Sequence, residues 1–117
     1  MTQDRPTAPE LLDALFAFIT DDVTPALSGR VRFHARVAAN VVAMLRREWE
    51  LGPEHAAADA AGLARLVGHR GEPRVLEAEL ARAIRGGELD PRMTEVVAFL
   101  RESARRKLEI ANPGYLR

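Results

Sequence analysis

Apolar residues recur at three- and four-residue spacing along almost the whole chain, which is the period of an α-helix with one face turned to a core. No segment shows the strict apolar–polar alternation of a half-buried strand. The pattern divides into five helical segments, at residues 8–22, 30–51, 54–67, 73–86 and 91–111. Because the connections between them are short, the sequence predicts an all-α protein folded as an up-and-down bundle of about five helices.

Capping and breaking residues set the ends of these helices. Thr7 and Glu10 have the spacing of a capping box before the first helix. Gly52-Pro53 is typical of one helix ending and another beginning, and Asp90-Pro91 predicts the start of the last helix. A length of 117 residues fits one domain, with a short arm at residues 1–6 and a tail at residues 112–117.

Composition narrows the classes of function. The chain has no cysteine, which excludes disulfides, thiolate metal sites and a cysteine nucleophile. Seventeen basic residues balance seventeen acidic ones, and this argues against binding to nucleic acid or to an anionic membrane. Near-zero net charge favours self-association as a homo-oligomer. No run approaches the roughly 18 apolar residues of a membrane span, so a cytoplasmic location is expected.

The second predicted helix holds the longest apolar stripe and the single tryptophan, Trp49, and is therefore expected to be the central, buried helix. Polar residues interrupt this stripe: His34 and Glu48 fall in its middle and Asn40 on its edge. Lys107 interrupts the stripe of the last helix in the same way. A buried charge needs a partner, so Glu48 and Lys107 are each expected to be at least partly buried and paired.

The direction of the helices decides which pairs form. Parallel second and fifth helices would let Glu48 pair with Lys107. Antiparallel ones would place Lys107 near His34, and Glu48 would turn to Arg5 or Arg92. Each of these residues also has an ordinary structural interpretation. His34 is then a hydrogen-bonded core histidine, Glu48 a carboxylate curled into solvent, and Lys107 a lysine whose ammonium group reaches past the stripe to water. The candidate polar cluster comprises His34, Arg36, Asn40, Glu48, Lys107 and Asn112.

Motifs of enzyme chemistry are missing from the sequence. The glycine pairs lack a phosphate-binding pattern, and the three histidines are too scattered to form a metal pair. Ser28 and Ser103 have no acid–base companions at readable spacing. We therefore predict no catalytic, cofactor-binding or metal-binding residue. The arginines of the second helix are suited to a phosphate or carboxylate, or they form a solvated face paired with acids such as Glu50.

Three stretches of sequence resemble a bacterial family of short helical proteins of unknown function. They are residues 32–40 with Arg47 and Glu48, residues 107–113 with Tyr115, and Arg5-Pro6 with residues 10–12. Members of that family are often encoded beside aminoglycoside-phosphotransferase-like kinases and acyl-CoA dehydrogenases. The resemblance implies an accessory role beside such enzymes, and it assigns no functional residue.

Two hypotheses of function follow. The first is a non-catalytic accessory or protein-interaction module, bound to a kinase-like or acyl-CoA dehydrogenase-like protein or to itself. The alternative is a small enzyme or ligand-binding bundle with a polar pocket around His34, Asn40, Glu48 and Lys107. An interaction module should expose an apolar patch, whereas a ligand binder should have a concave pocket with convergent polar groups.

Overall fold

A computed structural model describes residues 4–117, and the first half of the predicted arm, residues 1–3, lies outside that range. The fold is all-α, as predicted: α1 spans Ala8–Ala17, α2 Gly29–Val67, α3 Pro73–Arg85 and α4 Met93–Ala111, and no strand occurs in residues 4–117. Short helical turns follow α1 (Phe18–Val23 and Thr24–Ala26), precede α4 (Asp90–Arg92) and shape the tail (Pro113–Leu116). The up-and-down arrangement stays a prediction.

The start of α1 confirms the predicted capping box. The backbone N–H of Glu10 donates to the Thr7 hydroxyl oxygen at 3.3 Å, and the Thr7 N–H donates to a Glu10 carboxylate oxygen at 3.0 Å. A hydrogen bond from Arg5 is the largest of the effects that lower the pKa of Glu10, followed by those from Thr7. Thr7 and Glu10 therefore each accept a backbone N–H that would otherwise have no partner at the start of the helix.

The expected break at Gly52-Pro53 was wrong, because α2 runs through it as one helix of 39 residues. Residues 4–117 therefore contain four α-helices rather than the five expected. Pro53 has no N–H to donate to the carbonyl of Trp49, so a single rung of the ladder is missing there. Residues 56–61 that follow are alanines apart from Asp59, and alanine has the highest helix propensity. We attribute the continuation to this strongly helix-forming stretch.

The described chain divides into two compact units. Unit 1 comprises the described residues up to Gly52 together with Ile110–Pro113, and unit 2 comprises Pro53–Glu109 together with Gly114–Arg117. The single domain expected from the sequence stays a prediction.

Unit 2 has a well-formed apolar core. Leu76 and Val96 are each 1% exposed, and they share a cluster with the buried residues Leu63, Leu66, Leu80, Leu89 and Phe99. α3 begins at Glu72, whose carboxylate accepts from the Val75 N–H at 3.2 Å. The Arg92 guanidinium donates to the carbonyls of Leu66 and Arg65 at 3.4 and 3.5 Å, so it caps the last turn of α2.

Unit 1 buries much less apolar surface. Its buried side chains are Ala39, Val42 and Thr24, and the Thr24 hydroxyl donates to the Ile19 carbonyl at 2.8 Å. The expected burial of the second helix was wrong: Val41 is 48% exposed, Leu45 52% and Trp49 53%. In unit 1 the small residues of α2 face inward, and its large apolar residues face solvent.

Candidate interaction surface

The structure distributes the six predicted polar residues over both units. His34, Arg36, Asn40, Glu48 and Asn112 belong to unit 1, whereas Lys107 belongs to unit 2. All six are exposed. The burial expected for Glu48 and Lys107 was therefore wrong, and no hydrogen bond or ion pair joins either of them to another residue of the described chain.

Glu48 follows the ordinary interpretation, a carboxylate curled into solvent, and its side chain lies along its own helix towards Gly52. A Cβ placed on Gly52 would lie only 2.7 Å from a Glu48 carboxylate oxygen. The absence of a side chain at Gly52 thus makes room for this carboxylate one turn farther along α2. Glu48 is exposed because the stripe that surrounds it is itself exposed.

That stripe is the most conspicuous surface of unit 1, and we call it the α2 apolar face. His34 is in the middle of the face, and the Phe33 and His34 rings meet edge to face with their centroids 5.6 Å apart. Phe33 is 61% exposed, and the other large members are between 38% and 57% exposed. The face consists of Val31, Phe33, Val37, Val41, Met44, Leu45 and Trp49.

Two arginines of α2 in unit 1, Arg46 and Arg47, are engaged in contacts within the chain. Arg46 binds Asp13 of α1 at 2.6 Å and Glu50 of its own helix at 2.9 Å. The hydrogen bond with Asp13 is the main reason that the pKa of Arg46 is raised. Arg47 donates from Nε to the carbonyl of Ile110 at 2.7 Å. These contacts favour the paired, solvated interpretation of both arginines over an anion site.

Unit 2 contains the groove in which Lys107 lies. Its volume is about 210 Å³, its floor is apolar, and Lys107, Ser103 and Glu77 stand among its lining residues. Asp59, at the margin of the groove, forms an ion pair with Arg106, whose Nε and Nη2 donate to one carboxylate oxygen at 3.0 and 2.6 Å. The groove therefore offers an open, largely apolar surface with the exposed ammonium group of Lys107 and the carboxylate of Glu77, while Asp59 is paired with Arg106.

The ion pair of Asp59 and Arg106 was missed by sequence reasoning. Asp59 is the only charged residue in an alanine-rich stretch of α2, and this isolation was the available signal. A second pair in unit 2 joins His55 Nε2 to Glu109 at 3.0 Å, and Arg105 binds the other oxygen of the same carboxylate at 3.1 Å. Within residues 4–117, no three histidine or acidic side chains gather as a metal site would require.

The helices and these surfaces describe a small all-α protein with an exposed apolar helix face. None of the described helices is both long and apolar enough to cross a membrane. The chain belongs to the family described as domain of unknown function DUF6285, whose model matches residues 25–115. No curated protein and no solved structure shows significant similarity to it. The matched region begins after α1 and contains the whole α2 apolar face.

Proposed function

We propose that this protein is a non-catalytic protein-interaction module and that the α2 apolar face is its binding surface. One observation carries the proposal: seven large apolar side chains of a single helix face are more than a third exposed. Soluble proteins seldom leave so much apolar surface on one face without a binding role. Aromatic residues and methionine, which are enriched in the cores of interfaces, are both present in it.

The partner expected from the sequence is a kinase-like or acyl-CoA dehydrogenase-like enzyme, or a second copy of the chain. The expectation of an accessory role beside such an enzyme remains part of this proposal. The paired state of Arg46 and Arg47 and the exposed state of His34 and Glu48 support a binding role over a catalytic one.

Trp49 allows a direct test, because it is the single tryptophan and lies half-exposed on the proposed surface. Its fluorescence emission is followed while the protein is concentrated alone, and while a purified kinase-like or acyl-CoA dehydrogenase-like protein from the same cells is added. Burial of the indole shifts the emission to the blue. We expect a shift in at least one titration, and we expect Val41→Asp to abolish it.

Val75→Asp serves as the matched control. Val75 is 52% exposed, close to the 48% of Val41, but it lies on α3 in unit 2. This variant should behave like the parent protein. If the emission of Trp49 stays unshifted in every titration, or if both variants abolish the shift equally, the α2 apolar face is not the binding surface.

The groove of unit 2 supports a second candidate function, the binding of a small carboxylate with an apolar body. Lys107 would pair with the carboxylate, and the apolar floor between Leu80 and Phe99 would receive the rest. Octanoate should then raise the melting temperature of the parent protein and leave that of Lys107→Met unchanged. An equal response of the two proteins would exclude this role for Lys107.

A further inference from the structure

In unit 1, α2 buries small residues and exposes large apolar ones, which is the opposite of an ordinary core helix. In unit 1 the helix buries Ala39 and Val42 and exposes its large apolar residues. An aromatic side chain contributes about 150–250 Å² and an aliphatic one somewhat less, so at exposures between 38% and 61% the seven residues of the α2 apolar face present roughly 700 Å². A standard protein–protein interface buries about 800 Å² on each partner. One helix of this chain thus supplies most of the surface that a stable dimer needs.

The centre of this face has the repeat of a helix-pairing seam. Val31, His34, Ala38, Val41, Leu45 and Glu48 follow one another at alternating steps of three and four residues, which is the spacing by which one helix packs along another. Val41 is the midpoint between the two polar members of the seam, because His34 precedes it by as many residues as Glu48 follows it.

We infer that the α2 apolar face binds the same face of a second copy of this chain, with the two helices antiparallel and crossing at Val41. The inference rests on the proposed function and names its partner. In this arrangement residues equally distant from Val41 lie opposite each other, so the face is its own complement: Val37 lies against Leu45 of the second copy, and Ala38 lies against Met44 with Leu45 beside it. Smaller residues of the face thus meet larger ones across the two-fold axis.

Charge selects the antiparallel direction. Arg30 and His34 occupy the beginning of the seam, and Glu48 occupies its end. Antiparallel helices bring Glu48 against His34 of the second copy, whereas parallel helices would oppose Glu48 to Glu48 and His34 to His34. Because like charges facing each other are unfavourable, the antiparallel pair is preferred. It also explains why two polar residues interrupt an otherwise apolar stripe.

The net charge of the chain is compatible with a second copy as the partner. Equal numbers of acidic and basic residues leave no net repulsion between two copies. An unrelated protein would need a surface that complements both the apolar seam and its two polar positions, whereas a second copy supplies that surface by symmetry. The second copy is therefore the occupant that the observations favour.

Sedimentation equilibrium of the full chain is the first test. We expect a reversible dimer, and we expect Val41→Asp to raise its dissociation constant about 100-fold or more, since an unpaired carboxylate at the axis would be buried twice. Val75→Asp should leave the constant unchanged. Because Val41 is exposed within a single chain, the variant should keep the helical circular dichroism of the parent. A parent protein that is monomeric at every concentration would overturn the inference.

Disulfide trapping tests the direction of the helices, and the absence of native cysteine makes it unambiguous. Ala38→Cys and Leu45→Cys are prepared as separate chains of different tag length. A disulfide forms when two Cα atoms lie about 4.4–6.8 Å apart. The antiparallel pair predicts a cross-link in the mixture and little in either chain alone. A parallel pair would instead cross-link each chain with itself, and that result would overturn the inference.

The two proposals fail in different ways. If the protein stays monomeric but Trp49 shifts to the blue on addition of an enzyme partner, and Val41→Asp abolishes that shift, the interaction module stands and the homodimer is wrong. If a dimer forms but Val41→Asp does not weaken it and the cysteine mixture does not cross-link, the homodimer at this face is wrong, and the Trp49 titration with an enzyme partner then decides whether the face binds a protein.

Discussion

Leu76 and Val41 show how differently the two units use apolar residues. Leu76 lies in a helix of 13 residues and is 1% exposed, whereas Val41 lies in one of 39 residues and is 48% exposed. In unit 2 five leucines, Val96 and Phe99 face inward together and form a core of seven buried residues. In unit 1 the inward positions of α2 are small. An apolar stripe therefore predicts that one face of a helix packs against something. It does not predict whether other segments of the same chain cover that face.

The largest expected effect is the loss of the Leu76 side chain. Leu76→Ala should lower the free energy of unfolding by about 2–5 kcal/mol, because a cavity replaces a fully buried leucine. Val41→Ala should cost less than about 1 kcal/mol in dilute solution, where its methyl groups face water. Urea denaturation of both variants at micromolar concentration makes the comparison.

Protein concentration sharpens this comparison. The cost of Leu76→Ala should not depend on concentration, whereas the cost of Val41→Ala should grow when association buries the α2 apolar face. Equal costs for the two variants at the lowest concentration would contradict the difference between the units.

Much of the fold was predictable, because helix ends depend on local residues. The capping box of Thr7 and Glu10 and the all-α class were predicted from the sequence and are confirmed. The break at Pro53 was not, because a proline removes one hydrogen bond and the stretch that follows decides whether the helix continues. The burial of the second predicted helix, residues 30–51, was also predicted wrongly. Periodicity identifies one face of a helix, and only the packing of other segments determines whether that face is covered.

The candidate site shows the same limit. His34 and Glu48 were identified as misplaced on an apolar stripe, and the stripe itself is real. Their expected burial failed because that stripe faces solvent. The pairing of Asp59 with Arg106 joins residues far apart in sequence, and no local pattern specifies such a contact.

Two glycines of α2 allow the tightness of packing in the two units to be compared, with a smaller expected effect. A Cβ on Gly62, in unit 2, would collide with the ring of Phe99, which is buried. A Cβ on Gly52, in unit 1, would meet the exposed and flexible end of Glu48 at 2.7 Å. Alanine gains up to about 1 kcal/mol over glycine within a helix, and overpacking a core costs about 1–3 kcal/mol.

Gly62→Ala should therefore destabilise the protein by roughly 1 kcal/mol or more, since the Phe99 ring is held by its neighbours. Gly52→Ala should be neutral or stabilising by up to about 1 kcal/mol, since Glu48 can rotate away. Thermal denaturation distinguishes the two substitutions. A stabilised Gly62→Ala variant would show that Phe99 has room to move, and the tight core assigned to unit 2 would then be wrong.

The smallest expected effect is a dependence on pH that arises from His69, at the surface of unit 2. Its Nδ1 lies 2.9 Å from the carbonyl of Arg70 and its Nε2 lies 2.6 Å from the Glu79 carboxylate. Because both ring nitrogens donate only when the imidazole is protonated, first the Arg70 carbonyl and then Glu79 raise the pKa of His69 above its usual value. A group whose pKa is raised by folding stabilises the native state fully below its unfolded pKa, near 6.5, and that stabilisation disappears as the pH rises through the folded pKa.

His69→Gln should therefore be less stable than the parent protein at pH 5.5, and the difference in melting temperature between the two proteins should narrow by pH 8.5. Glu79→Gln should likewise be less stable than the parent protein at pH 5.5, and this difference should also narrow by pH 8.5, since the substitution removes the negative charge that faces the protonated imidazole. Melting temperatures of the three proteins across this range provide the measurement, and a gap that widens with rising pH would show that the neutral imidazole is the form held in place.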